Sequence, residues 1–180
     1  MKQAASLISL LLVSTVFTGT PIAAEKNDGS TYTKVGQSVP EFELTTLDGQ
    51  TMKSSDLKGK VTVINFFATW CGACREELPH LKSEVWDRFK EDDRFALFVV
   101  GREHTQKELA DFKKQESFAM PLAPDPGRKI YSRFAEQWIP RTYVFDSNGK
   151  IAFQSIGYDA EEFSEMVAII EASLRNINES

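Results

Sequence analysis

"VTVINFFATWCGACREELP", residues 61–79, is the stretch from which the fold can be read. Val61 to Ala68 is a nearly continuous run of β-branched and aromatic residues, the pattern of a strand buried on both faces and so lying inside a sheet. Helical spacing follows from Ala73 to about Lys90, with Leu78, Leu81, Val85, Trp86 and Phe89 on one side. The junction holds the chain's two cysteines, Cys71 and Cys74. A strand that delivers Trp70 to the carboxyl edge of a sheet puts Cys71 at the start of the next helix, where unpaired N–H groups and the helix dipole stabilise an anion. A thiolate is such an anion, so its pKa should fall below the free value of about 8.5. Cys74 lies one turn further on the same side, where Cβ atoms are roughly 5–6 Å apart, and a small adjustment would form a disulfide. So small a ring restrains the unfolded chain little, and suits a bond that is made and broken. The expected chemistry is attack by Cys71 on a partner's disulfide and resolution of the mixed disulfide by Cys74. Pro79 withholds a hydrogen bond from the Arg75 carbonyl and should kink the helix just past the cysteines.

Upstream, "VPEFELTTLDGQTMKSSDLKG" (39–59) places Phe42 and Leu44 on one side, turns at Asp48-Gly49 and resumes at Thr51. That predicts a β-hairpin covering a sheet edge, followed by a helical turn at Ser55 to Leu57. Downstream, "RFALFVVG" (94–101) is a second buried strand. "TQKELADFKKQ" (105–115) is an amphipathic helix with Leu109 and Phe112 inward, opened by Thr105 as N-cap with Glu108 three residues on. After the Pro-rich "MPLAPDPG" (120–127), a short helix from Arg128 to Phe134 leads to strands at Thr142 to Phe145 and Ile151 to Ser155, joined by a "DSNG" turn. A last helix is expected from about Ala160 to Leu174. The order gives an α/β fold: a mixed central sheet with helices on both faces and an additional N-terminal β-hairpin.

At 180 residues, 42% hydrophobic and 26% charged, the chain has the size and composition of one soluble domain. Lys2, the apolar run Leu7 to Phe17 and the small residues of "TPIAA" read as an export signal over 1–24, either cleaved before Glu25 or kept as an anchor. The run is short for a membrane span. Residues 25–34 are polar and turn-rich and read as a flexible linker ahead of a domain at 35–180. Losing residues 1–24 removes the charge of Lys2 and takes the formal net charge from −5 to −6, which argues against nucleic acid as a partner. An exported protein would sit in the periplasm or on the outer face of the cytoplasmic membrane, where a thiol pair can oxidise.

At "NFFATWCGACREELP" (65–79), with the proline of "WIPRTY" (138–143), the chain resembles the thioredoxin-like family, and within it the exported thiol–disulfide oxidoreductases of the TlpA/ResA type, over about residues 36 to 175. The resemblance implies a thioredoxin fold, Cys71 as attacking and Cys74 as resolving cysteine, and a cis-proline at Pro140. Ile139 would then offer its backbone to an extended substrate segment, with Trp70, Gly72 and Ala73 completing the substrate-binding surface. It implies no cofactor beyond the redox-active Cys71–Cys74 disulfide, disulfide-bearing protein substrates, apocytochrome c among them, a membrane thiol electron donor, and a monomer. Cytosolic thioredoxins carry a buried aspartate where this chain has Asn65, so another group must handle the thiol's proton. Glu77 matches a glutamate of the "CxxCxxExP" pattern; a carboxylate partly buried beside the cysteines would have a raised pKa and could take the proton of Cys74.

Gly72 and Ala73 depart from relatives with proline before the second cysteine, a pair that influences redox potential, and Arg141 stands where relatives often have threonine. An oxidase or isomerase would use the same residues at another potential, although the spacing leaves no room for the inserted helical domain of DsbA-like oxidases. A peroxidase of the same superfamily would need proline and threonine where Ile64 and Ala68 stand. Metal or copper handling would need ligands beyond His80 near the pair. His80 and His104 read as surface or internally satisfied residues.

Overall fold

The structure, a computed structural model, describes residues 29–177. The expected export signal at 1–24, and residues 25–28 of the expected linker, lie outside the described residues. In chain order the strands are β1 (Glu43–Thr45), β2 (Thr51–Lys53), β3 (Val61–Phe67), β4 (Phe95–Arg102), β5 (Leu122–Asp125), β6 (Arg141–Phe145) and β7 (Ile151–Ile156). The helices are α1 (Gly72–His80), α2 (Asp87–Phe89), α3 (Gln106–Gln115) and α4 (Ala160–Ile177), with 3-10 turns at Ser54–Leu57 and Tyr131–Arg133. β1 and β2 form the antiparallel hairpin, and the main sheet runs β5-β4-β3-β6-β7. The β5-β4-β3 pairings are parallel and the β3-β6-β7 pairings antiparallel.

Period-two alternation divides β3 between two cores. Val61, Val63 and Phe67 face one core with Leu78, Leu81, Leu109, Phe163 and Ile170, so α1, α3 and α4 all pack on that face. Ile64 and Phe66 face the other, filled by Phe42, Leu44, Leu57, Tyr131, Phe134 and Tyr143. The hairpin and both 3-10 turns cover this second side, where Tyr131 meets Phe66 edge-on at 5.3 Å between ring centres. The hairpin also reaches the sheet edge as expected: Leu47 N–H donates to the Leu122 carbonyl at 2.8 Å.

β5 was hidden inside the Pro-rich stretch. It pairs only with β4 and forms the sheet's edge, where Pro124 has no second ladder to disrupt. The helix after the cysteines starts at Gly72 and carries Pro79 within α1. It continues as a π-helix over Leu81–Trp86, where Asp87 N–H donates to the Lys82 carbonyl, the kind of widened turn at which helices bend.

The described part of the expected flexible linker differs from that expectation. Thr31 bridges to Ala135, Tyr32 N–H donates to the Phe134 carbonyl at 2.9 Å, and Glu136 N–H donates to the Ser30 carbonyl at 2.8 Å. The hydroxyls that make this stretch look solvated are acceptors for the buried Arg141 guanidinium, with Ser30 Oγ at 2.6 Å and Thr31 Oγ1 at 2.8 Å.

Candidate active site

β3 ends at the sheet's carboxyl edge, and a turn closed by Cys71 N–H on the Ala68 carbonyl at 3.1 Å carries the chain into α1. Cys71 is the N-cap, in extended conformation. It forms a disulfide with Cys74 across a Cα–Cα distance of 5.3 Å, and its Sγ accepts from Cys74 N–H at 3.2 Å. The same amide would stabilise a Cys71 thiolate once the pair is reduced. Cys71 is 8% exposed and Cys74 fully buried, so an incoming sulfur can reach only the first.

The peptide between Ile139 and Pro140 is cis, and the Ile139 carbonyl oxygen lies 3.7 Å from Cys71 Sγ. This brings the two expected sequence motifs together although they are nearly 70 positions apart. Gly72 and Ala73 are exposed beside the disulfide, and Trp70 is one of the few large apolar side chains among the described residues left open to solvent. Trp138, a second exposed tryptophan, belongs to the same surface and was not singled out from sequence. Its φ is +72°, an uncommon conformation for a bulky residue, and its carbonyl accepts from the Tyr131 hydroxyl. Arg102 lies over the rings of both Trp70 and Tyr131, at 5.9 and 5.3 Å.

Behind the sulfurs, Asn65 interrupts the apolar face of β3 and finds its partners there. Its Nδ2 donates to Glu77 Oε2 at 2.7 Å and to Thr142 Oγ1 at 2.8 Å, while the Thr142 hydroxyl donates to Glu77 Oε1 at 2.9 Å. Asn65 and Thr142 are register partners across β3 and β6, and Glu77 reaches down from α1 to both. Burial pushes the Glu77 carboxyl up to about 7; the two hydrogen bonds oppose this, and the charge of Glu162 adds to it. Such a group changes protonation near neutrality and can exchange a proton with a nearby thiol. A narrow cavity of about 10 Å³, lined by Glu77, Ser155, Tyr158, Asp159 and Glu162, has room for about one water beside the carboxyl.

Thr142 was missed as a site residue because only the β3–β6 register reveals its place. Arg141 points to the opposite face, buried, and donates to the Gln137 carbonyl as well as to Ser30 and Thr31. Of the histidines, His80 is exposed, with Nδ1 at 2.8 Å from Glu84 Oε1 and its ring stacked on Tyr158. His104 is buried and joined to the redox turn, for Thr69 N–H donates to its Nε2 at 3.0 Å. Among the described residues no group of three or more His, Cys, Asp or Glu side chains could hold a metal ion.

Residues 35–154 match the family model described as the AhpC/TSA family. The chain belongs to the AhpC/TSA family. Thiol-disulfide oxidoreductase ResA of Bacillus cereus is 30% identical over 129 residues, covering 72% of this chain and 73% of the relative. Among solved structures, a putative protein disulfide isomerase from Bacteroides thetaiotaomicron superposes with a TM-score of 0.77 at 32% identity, over 81% of this chain and 93% of that one. A putative thiol:disulfide interchange protein DsbE from Chlorobium tepidum gives 0.66 at 26% identity, over 78% and 98%. This AhpC/TSA-family chain has the thioredoxin fold with its extra hairpin, and it is a thiol–disulfide oxidoreductase of the ResA type.

Proposed function

We propose that this protein is an extracytoplasmic disulfide reductase of selected exported proteins. It works from the periplasm or the outer face of the cytoplasmic membrane, as a monomer, and is recharged by a membrane thiol donor. The observation that carries the reading is the accessible Cys71 at a helix N-terminus, disulfide-bonded to a buried Cys74 that is backed by the protonatable Glu77. In the reduced protein the Cys71 thiolate attacks one sulfur of a substrate disulfide; that S–S bond breaks, and the departing sulfur leaves as a thiolate that takes up a proton. Glu77, ionised, accepts the proton of Cys74. The Cys74 thiolate then displaces the second substrate sulfur from Cys71 as a thiolate, which takes up a proton as Glu77 gives its own back to solvent, leaving the Cys71–Cys74 disulfide and a substrate with two thiols. Two electrons from the thiol donor restore the starting state. Cys71, Cys74, Glu77 and Pro140 are the residues of this chemistry. Ile139, Trp70, Gly72 and Ala73 receive the substrate segment, and no cofactor is needed.

The export reading rests on the sequence of residues 1–24 and on the resemblance of the redox motif to the exported TlpA/ResA type. Among the described residues no helix is long and apolar enough to cross a membrane. Apocytochrome c is the proposed substrate class. A peroxidase reading lacks the proline and threonine that Ile64 and Ala68 replace.

The test is trapping. Cys74→Ala should accumulate mixed disulfides with its partners in the exported compartment, visible on non-reducing gels and absent when Cys71→Ser is added. No trapped species would count against the reading. The reduction potential against glutathione fixes the direction: about −270 mV supports a reductase, and about −120 mV would make the protein an oxidase.

A further inference from the structure

We propose that His104 is a positioning residue for the redox turn: its neutral ring, protonated at Nδ1, holds the Thr69 amide and thereby fixes how Trp70 and Cys71 are presented to substrate. Its kinetic consequence rests on the reductase reading above; its geometry does not.

The ring reaches the turn from the loop that follows β4. Chain and turn are both anchored there, since His104 N–H donates to the Gly101 carbonyl at 3.1 Å while its Nε2 accepts from Thr69 N–H at 3.0 Å, with the Thr69 hydroxyl at 3.4 Å. A backbone N–H can only donate, so the ring nitrogen facing it must carry a lone pair, and in a neutral imidazole the proton then sits on Nδ1. That tautomer is dictated by the main chain. Thr69 and Trp70 are the two central residues of the turn closed by Cys71 N–H on Ala68, so their backbone has no ladder partner from β3 or β4. The imidazole supplies the acceptor that the sheet does not.

Close packing leaves the ring little freedom. It is buried, lies 6.2 Å from the Phe67 ring between centroids, and its Cβ sits directly under Gly101, where an added methyl would meet it at 3.1 Å. Nδ1 is buried and, among the described residues, has no hydrogen-bond partner; the nearest carboxylate oxygen there, Glu108 Oε2, is 3.9 Å away and already accepts from the Thr105 amide and hydroxyl. Glu103 from the preceding loop and Glu108 from α3 are the charged groups facing the ring, and both favour its protonation, whereas burial dominates and lowers its pKa below the ordinary histidine value. Arg102 turns away from it onto Trp70 and Tyr131. Protonation would convert Nε2 from acceptor to donor, oppose it to the Thr69 N–H and release the turn. The turn is therefore held at neutral pH and let go in acid.

Nitrogen-15 NMR of the oxidised protein decides the matter. The His104 ring should show a protonated Nδ1 and a bare Nε2 at neutral pH. The Thr69 amide shift should titrate with the ring, at a midpoint below that of free histidine. His104→Gln, whose side-chain carbonyl can still accept, should keep the Thr69 amide protected and abolish the titration. His104→Ala should speed Thr69 exchange and lower kcat/KM for a peptide disulfide, each by about tenfold, the scale of one lost hydrogen bond, with both thiols still released on reduction. An Nε2–H tautomer, or a Thr69 amide indifferent to His104→Ala, would overturn the proposal. If the alanine variant does not fold, the wild-type tautomer and titration still decide. If wild-type protein reduces no disulfide, the reductase reading fails while the tautomer and the exchange rate continue to judge the positioning role.

Discussion

Replacing Glu77 by glutamine should leave stability near pH 4 almost unchanged and alter how it depends on pH above that. Glu77 is 2% exposed, and burial raises its carboxyl from 4.5 to about 7. Between those values the unfolded chain has released the proton and the native protein still holds it, so stability is complete below 4.5 and falls as pH rises through about 7. At about 1.4 kcal/mol per pH unit, the gap amounts to about 3 kcal/mol. Glutamine has no proton to lose. Its oxygen can accept from Asn65 Nδ2 and its amide can donate to the Thr142 hydroxyl, so both positions around it keep a partner. Urea unfolding of the oxidised proteins should give similar stabilities near pH 4, a decline for the wild type, and a variant more stable by about 3 kcal/mol near pH 8. The same variant should resolve mixed disulfides slowly, because an amide cannot take the proton of Cys74. Parallel profiles for the two proteins would refute the assignment of a shifted carboxyl to Glu77.

Two further substitutions probe the surroundings of that carboxyl and of the second face. Thr142→Val removes a hydroxyl that holds the Glu77 charge, so the carboxyl should titrate higher still; an unchanged midpoint by carbon-13 NMR would remove Thr142 from the network. Arg141→Ala withdraws the donor that ties down Ser30 and Thr31 and leaves a hole in a buried site, which should cost about 2–4 kcal/mol in urea unfolding and open residues 29–35 to proteolysis. Wild-type resistance to protease would show that the backbone bonds at Tyr32 and Glu136 suffice.

The buried strand, the cysteine pair and the capping box at Thr105 could be read from the sequence because each is a local pattern, with its cause within a few residues. Glu77 could be singled out by its spacing from Cys74, yet the depth of its burial could not, since that follows from β6 lying beside β3. Thr142 needed the same register, and without it reads as one more strand residue. β5 was obscured by the three prolines of residues 120–127, which argue for a loop unless the strand is known to be an edge. His104 looked isolated because its partner is a backbone amide 35 positions earlier, and an amide leaves no mark in a residue pattern. The polar stretch at 30–33 misled for a related reason: hydroxyls that suit water also suit a buried guanidinium, and only the fold brings Arg141 to them.

That grip by Arg141 also fixes where the described chain meets the domain. Ser30 is held next to Glu136, two residues from Trp138, so the chain enters the domain at the rim of the redox surface. The first described residues thus lie beside the segment that carries Trp138. A leader retained in the bilayer would moor that rim toward the lipid, within reach of a donor embedded there, whereas a severed leader would let the molecule roam to its clients.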